Sequence, residues 1–260
     1  MSDLAIPAAS TPNPGPAPAP AVTAPPAAKR TPVPLPVLLG LGWVALMLAV
    51  AFAADWISPF SITALDLRAR LVPPVGLGGN WLHPLGTDEL GRDVLSRLIA
   101  SIRMSLLIAF GATAISAVLG TLLGFLAAHF RGLVEQAVMA LVDFQAAMPF
   151  LILALAVLAF FGNSLPLFIC LLGLNGWERY ARIARGLAIS AGSQGYAAAV
   201  RQLGASPWRI YGRHVLPNIW PIVLTQVSVA VALAILAEAG LSFLGLGAPA
   251  PYASWGRMLQ

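Results

Sequence analysis

Charged side chains are scarce in this sequence. Only 10% of its 260 residues are Asp, Glu, Lys or Arg, whereas about a quarter are charged in a typical soluble domain. Hydrophobic residues make up 58% of the chain, and its mean hydropathy is +0.82. These values exclude an ordinary soluble protein and predict an all-α polytopic membrane protein.

Cysteine is nearly absent as well, since the chain has one, Cys170, inside an apolar run. One thiol excludes a disulfide framework or a thiolate metal cluster built from this chain. The net charge of +5 comes mainly from arginines that flank apolar runs. That placement is typical of membrane topology signals and not of nucleic-acid binding. We therefore expect membrane lipid, and no nucleic acid, as a partner.

Large apolar side chains are almost missing from residues 1–32, which are rich in Ala, Pro, Ser and Thr. Such a composition buries too little surface to offset the entropy of ordering, so it predicts a disordered tail. The N-terminus has no basic start followed directly by an apolar core, since Lys29 and Arg30 come only at the end of the tail, and this argues against a cleavable signal peptide. By the positive-inside bias, they predict a cytoplasmic N-terminus and a first span, 33–54, that runs outward.

Four more apolar runs predict four more crossings. The loop 55–103 mixes acids and bases without the basic excess of a cytoplasmic loop, so we expect it outside the cytoplasm. The second span covers 104–128, the third covers about 137–161, and the fifth covers about 219–236. The fourth begins at Leu165 and becomes polar by Trp177. Five crossings from an inward start would leave the C-terminus outside.

Glycine and proline predict how two of these spans behave. Gly120 and Gly124 form a GxxxG pair, which lets a neighbouring helix approach closely, so we expect helix packing there. Pro149 cannot donate a backbone hydrogen bond, so we expect a kink in the third span.

Polar residues near the span ends need partners. Asp143 is costly against lipid and should face protein or the interface. Glu238, at the end of the fifth span, has an expected architectural role, with the backbone amides of 241–247 as candidate hydrogen-bond donors. Three arginines at intervals of three predict a basic stripe where the fourth helix leaves the membrane: Arg179, Arg182 and Arg185.

The segment 196–217, YAAAVRQLGASPWRIYGRHVLP, is a polar island between two apolar runs. It carries arginines and no acid, which predicts a cytoplasmic position. Gly204 permits a tight chain reversal, and Pro207 suits the first turn of a following helix. Composition alone leaves a plain interfacial amphipathic loop as an equal alternative.

Three blocks together carry a family resemblance. They are HPLGTDELGRDVLSRLI at 83–99, the island at 196–217, and ILAEAGLSFLGLG at 235–247 with Ser-Trp-Gly after it. In this order and spacing they resemble the C-type permease subunit of bacterial dipeptide, oligopeptide and nickel ABC importers. The resemblance implies a type I ABC-importer transmembrane domain, with a permease core over 104–260.

The resemblance also implies a function and partners. The chain would form half of a translocation pathway for peptides or related small solutes, with nickel or a metal chelate as the alternative. Its partners would be a homologous second permease, two ATP-binding subunits and an extracytoplasmic binding protein, in the bacterial inner membrane. ATP and Mg would be bound by the ATPase subunits, so this chain would be no enzyme and would hold no cofactor or metal.

A cytoplasmic coupling loop, 186–216, would dock on the ATPase. The residues assigned to this contact are Tyr196, Ala198, Ala199, Arg201, Gly204, Ala205, Ser206, Pro207, Arg209, His214 and Pro217.

Two departures from the family pattern stand out. The coupling motif of the family has a glutamate where this chain has Ala198, with Gly204 in register, so Arg201, Arg209 and Tyr196 are expected to re-make the contact. The family's sixth span would follow the Ser-Trp-Gly segment, and the sequence stops before it, which we interpret as truncation.

Three alternatives compete with this interpretation: a hydrolase, a membrane scaffold and a metal site. An intramembrane hydrolase would need Ser190, Ser193 or Ser206 as the nucleophile and His214 as the base, but no third orienting group is evident. A membrane scaffold would bind partners without ATP-dependent flux. In the loop 55–103 the sequence allows a metal site or ion pairs with Arg92 and Arg97, and we expect the ion pairs. The acidic and histidine side chains in question are His83, Asp88, Glu89 and Asp93.

Overall fold

The computed structural model describes residues 34–192, 204, 206–249 and 251–259, and for Gly192 and Trp208 the backbone only. The predicted tail 1–32 lies outside the described residues. So do five of the predicted coupling residues: Tyr196, Ala198, Ala199, Arg201 and Ala205. The chain divides into two units, 1–40 and 41–260. The first unit, in its described part, holds the beginning of the first helix, and the second holds the elements analysed below.

Helices make up most of the described chain. They are α1 Leu35–Ile57, α2 Val94–Phe130, α3 Gly132–Ala147, α4 Phe150–Phe161, α5 Leu165–Gly173, α6 Trp177–Gly192, α7 Leu216–Phe243 and α8 Trp255–Met258. A helical turn, Pro207–Arg209, and a π-helix, Ile210–Val215, lead into α7 without a break. The predicted all-α membrane fold is confirmed.

Within the described residues three helices are long and apolar enough to cross a membrane, namely α1, α2 and the continuous helix Ile210–Phe243. The third predicted span is two helices, α3 and α4, whose axes differ by 88°. Pro149 has extended backbone angles (φ −69°, ψ 108°) and stands just before α4. Because proline disfavours helical geometry in the residue before it, Met148 is extended. Helix α3 therefore ends at Ala147, and α4 begins at Phe150. The expected kink is therefore a complete break.

The second helix begins earlier than predicted. Asp93 caps α2, and its carboxylate accepts a hydrogen bond from the Ser96 N–H at 2.7 Å. An Asp in this position satisfies a backbone donor that the first helical turn leaves free. The helix therefore begins at Val94 and not at Met104, and the loop before it covers 58–93.

The fourth predicted span is also divided. Helix α5 ends at Gly173, and Gly176, with φ +114°, makes the turn before α6. Helices α5 and α6 both pack along α2 and run parallel to it. Residue numbers increase in the same direction on both sides of the contact, as the close pairs show: Gly111–Ile169, Ile115–Gly173, Gly120–Tyr180 and Gly124–Ala184.

Helix α7 runs in the opposite direction. Ser105, early in α2, bonds Glu238, late in α7, whereas Ala128, late in α2, shares a buried cluster with Ile219, early in α7. The second and fourth predicted spans thus run one way and the fifth runs the other. This is the alternation that the predicted topology requires.

Closest approach between α2 and α6 occurs at the GxxxG pair. A Cβ at Gly120 would lie 2.6 Å from the Tyr180 Cβ, and one at Gly124 would lie 2.8 Å from the Ala184 Cβ. Side chains at these positions would force the helices apart, so glycine permits the contact.

The arginines of α6 lie towards the end of the predicted second span. Arg185 lies level with Gly124, four residues before that span ends, and α6 continues beyond it to Gly192. Arg182 bonds Asp143 at 2.9 Å, and Arg185 pairs with Glu135, so these two arginines pack against α3. Asp143 faces protein through this ion pair, although its side chain is 72% exposed.

Candidate functional site

The described part of the polar island begins at Gly204, which lies in a turn. Gly204 has φ +75°, a left-handed conformation that glycine adopts without the steric cost of a Cβ. Ser206 is extended (φ −64°, ψ 151°), and Pro207 occupies the first helical position. Proline fits there because the first-turn N–H has no partner within the helix. Gly204 therefore has the backbone angle, and Pro207 the helical position, that the sequence predicted for them.

A π-helix, Ile210–Val215, joins this turn to α7. The Leu216 N–H donates to the carbonyl of Tyr211, five residues earlier. Pro217 and Pro221 follow, and neither can donate to the turn before it. We attribute the wider turn to this loss of α-helical donors, since π-helical turns accommodate such interruptions. The segment Pro207–Val215 is thus the beginning of the long helix and not a separate loop.

One side of this segment is anchored. Ile210, Val215 and Ile219 are buried, with at most 4% of their surface exposed, and they pack with Ala188 of α6 and Ala128 of α2. Apolar burial of this kind holds the segment against the C-terminal ends of both helices.

Aromatic rings strengthen the same contact. The Tyr211 ring stacks on Phe125 with centroids 5.2 Å apart, and it meets the edge of His129 at 5.6 Å. Such pairs add to the stability that area burial supplies. A movement of the segment must therefore also displace the end of α2.

The opposite side is exposed and basic. We call it the basic outer face and define it by Gly204, Pro207, Arg209 and Arg213, all of them exposed. In the described residues neither arginine has an ion-pair partner. Arg213 was not among the predicted site residues, although its spacing of four from Arg209 places both on one helical face. A face of this kind can bind an acidic surface.

The other predicted residues take minor positions. Ser206 and Pro217 are exposed, and His214 is partly buried. Within the described part of the chain no hydrogen bond joins Ser206 to His214, so the pairing that a hydrolase would need is not formed there.

The loop before α2 contains two separate polar clusters at the other end of the molecule's second unit. Asp93 accepts from Ser96 and lies 3.0 Å from the His83 Nδ1. Asp88 pairs with Arg92 at 2.7 Å and with Arg97. No group of three or more candidate metal ligands meets in the described residues. The ion-pair interpretation therefore fits the structure better than a metal site.

The Asp88 carboxyl has a lowered pKa. Partial burial raises the pKa, but hydrogen bonds from the Arg92 backbone and side chain and from the Leu90 N–H outweigh it. The net direction is below the ordinary value of 3.8, so the charged form is favoured.

Glu238 lies at the centre of a third cluster and is fully buried. It accepts hydrogen bonds from Ser105 at 3.1 Å and Ser242 at 2.6 Å. The predicted donors were backbone amides of 241–247, and the structure supplies serine hydroxyls instead. Ser254 donates to Ser242, and the Trp255 N–H donates to Ser105, so the cluster also holds the segment before α8. The acid ties three parts of the chain together.

Comparison with known proteins shows the family. Residues 120–260 match the family model described as "Binding-protein-dependent transport system inner membrane component". This part includes the GxxxG contact, the basic outer face, and the Glu238 cluster except for Ser105.

Three curated relatives extend the likeness to most of the chain. The probable D,D-dipeptide transport system permease protein of Escherichia coli K12 is 35% identical over 83% of this chain and 71% of the relative. The di/tripeptide transport system permease protein of Pseudomonas aeruginosa UCBPP-PA14 is 37% identical, with 85% and 73% covered. The nickel transport system permease protein of E. coli K12 is 35% identical, with 86% and 79% covered. The resemblance seen in the sequence is therefore confirmed, and this multi-pass membrane protein belongs to the family of binding-protein-dependent transport system inner membrane components, the ABC-importer permeases.

Proposed function

We propose that this chain is the permease subunit of an ATP-driven importer of peptides. It forms half of the translocation pathway, pairs with a homologous permease and receives substrate from an extracytoplasmic binding protein. Two ATPase subunits bind ATP and Mg and carry out hydrolysis, so the chain itself is non-catalytic. Family membership supports the assembly, and two of the three relatives above have peptide transport in their names.

The observation that carries the proposal is the construction of the segment Pro207–Val215. Its inner side is buried against α2 and α6, its outer face is exposed and basic, and its backbone continues into α7. A contact made on the basic outer face is therefore mechanically connected to an apolar helix. This is what a coupling element needs, because binding on one state of the partner must shift the helices between two arrangements.

Gly204 provides the first test. Proline fixes φ near −65°, which is incompatible with the observed +75°, so Gly204→Pro should uncouple ATP hydrolysis from uptake in proteoliposomes. Asparagine tolerates the left-handed region, so Gly204→Asn is the matched control and should keep coupled uptake. Coupled uptake by the proline variant at the wild-type rate would refute the proposal.

Charge on the basic outer face provides the second test. Arg209→Glu should reduce co-purification of the ATPase, because it reverses a charge at the proposed contact. Arg131→Glu reverses an exposed charge at the same end of α2 but outside the face, and it should leave co-purification unchanged. An equal effect of both variants would place the contact elsewhere.

Nickel or a nickel chelate is the alternative substrate, because the nickel permease of E. coli matches as well as the peptide permeases do. Uptake of labelled dipeptide and labelled nickel, each with and without ATP, separates the two. If neither substrate shows ATP-dependent uptake, a scaffold would be favoured instead.

The proposed orientation has a cytoplasmic N-terminus. Cysteine labelling at position 204 from the cytoplasmic side alone would support this orientation.

A further inference from the structure

A polar cavity of about 60 Å³ lies between α2, α6 and α7. Thr113 and Ser116 contribute from the middle of α2, and Gln226 contributes from α7. The short turn between α5 and α6 adds Asn175, and α6 adds Arg179 and Tyr180. The rest of the lining is mainly apolar, and no acidic side chain belongs to it. The cavity is therefore a polar site within an apolar helix bundle.

Two of its side chains have hydrogen-bonding capacity that the protein does not use. Thr113 is 4% exposed and Tyr180 is 2% exposed. Each has a buried hydroxyl oxygen without a partner in the described part of the chain. Buried hydroxyls are costly unless they find a partner, so such groups beside a cavity indicate that something polar occupies it. Ser116, in contrast, is already bonded to the Gly173 carbonyl.

Arg179 adds a positive charge. Its Nε lies 3.7 Å from the nearest Glu178 oxygen, too far for a hydrogen bond. The other Glu178 oxygen already accepts from the Gly176 N–H at 2.9 Å. The guanidinium therefore keeps donors for another acceptor. A charged side chain beside the middle of membrane-grade helices is typical of a substrate pathway.

We infer that this cavity binds a carboxylate group of the transported solute on its way through the permease. The inference rests on the proposed transport function. Guanidinium binds carboxylate through two parallel hydrogen bonds, and two hydroxyls add neutral donors. A space of this size suits one carboxylate group or a few water molecules. A free nickel cation would be repelled by Arg179, so the site favours peptides.

The test uses the complete transporter with its binding protein in proteoliposomes. Uptake of a transported dipeptide is compared with uptake of its C-terminal amide, which lacks the carboxylate. The ratio of the two rates is measured for wild type, Arg179→Gln and Arg103→Gln. Because discrimination by the binding protein enters each ratio equally, differences between ratios belong to the permease. Arg103 pairs with Asp55 away from the cavity and is the control.

The wild-type preference for the free carboxylate should fall about tenfold in Arg179→Gln, because a charge-assisted bidentate contact is lost. Arg103→Gln should keep the wild-type ratio. An unchanged ratio in Arg179→Gln would overturn the carboxylate site while leaving the transport function intact. Wild type without ATP-dependent uptake of any peptide would instead refute the function on which the site rests.

Tyr180→Phe covers the case in which Arg179→Gln does not assemble. If the hydroxyl has only a structural role, its removal leaves uptake unchanged and thermal stability unchanged or higher, because the lost group had no protein partner. The proposed role instead requires a several-fold higher KM for the dipeptide at unchanged Tm. Unchanged KM in Tyr180→Phe and in Thr113→Val would overturn the inference.

Discussion

The contact between α2 and α6 supports a quantitative prediction. In Gly120→Ala the new methyl group would lie 2.6 Å from the Tyr180 Cβ, whereas ordinary contact begins near 3.4 Å. Helix α6 must then retreat by most of an ångström or distort. Overpacking of a closely packed contact costs about 1–3 kcal/mol.

Gly186→Ala is the matched control. Gly186 is an exposed glycine of α6, and a methyl group added there would have no neighbouring atom within 4 Å. Both substitutions gain the same helix propensity, about 0.5–1 kcal/mol, so the difference between the two variants isolates the packing cost. For a chain of this size about 1 kcal/mol corresponds to 2–4 °C in Tm. We therefore expect Gly120→Ala to melt about 2–12 °C below Gly186→Ala.

The assay is thermal unfolding of the purified assembly in detergent, at one scan rate because unfolding of such proteins is often irreversible. Gly124→Ala should behave like Gly120→Ala, since its Cβ would lie 2.8 Å from the Ala184 Cβ. If Gly120→Ala melted as high as Gly186→Ala, α6 would not lie on the glycine face of α2, and the parallel arrangement would be wrong.

Three further predictions follow. Glu238→Leu leaves the Ser105 and Ser242 hydroxyls without their acceptor and should cost about 1–3 kcal/mol in thermal unfolding; Glu238→Gln keeps an acceptor, and an equal loss in both would contradict the network. Asp88→Asn should lower Tm at neutral pH, and because the folded pKa is lowered from 3.8 the contribution of Asp88 is present above that value. The gap to wild type should close as pH falls below 3.8 through the folded pKa, and a gap independent of pH would argue against the charge. Ala198→Glu should leave ATPase binding unchanged or tighten it, and a clear loss would show that the assumed motif register is wrong.

Composition and motif order were enough to predict the membrane class and the permease family. Both depend on features that a linear sequence displays, such as long apolar runs and a basic island with Gly204 and Pro207. The ends of the spans were harder to predict, because a helix cap can start a helix well before its apolar run begins. The arginines after Val94 look like loop residues, yet Asp93 starts the helix before them. The break between α5 and α6 was also missed, although Asn175-Gly176 is a turn signal at the place where the apolar run ends.

Partners distant in the chain could not be predicted. Glu238 bonds Ser105, and Arg182 bonds Asp143, through contacts that depend on how helices pack. Arg179 was grouped with the other arginines of its helix by spacing alone, and only the parallel arrangement of α2 and α6 places it near Thr113. Sequence periodicity describes one helix at a time, so a cavity shared by three helices lies beyond it.

The helix Ile210–Phe243 contains 34 residues, which corresponds to a rod about 50 Å long. Its prolines, Pro217 and Pro221, both lie in the half nearer the basic outer face, so the rod is weakest near that face and unbroken from there to Glu238. A tilt of roughly 5° about that weak point moves Glu238, about 25 Å away, by roughly 2 Å. Ser242 belongs to the same helix and moves with Glu238, whereas Ser105 belongs to α2, so a small rotation at one end is sufficient to lengthen the Ser105–Glu238 hydrogen bond at the other.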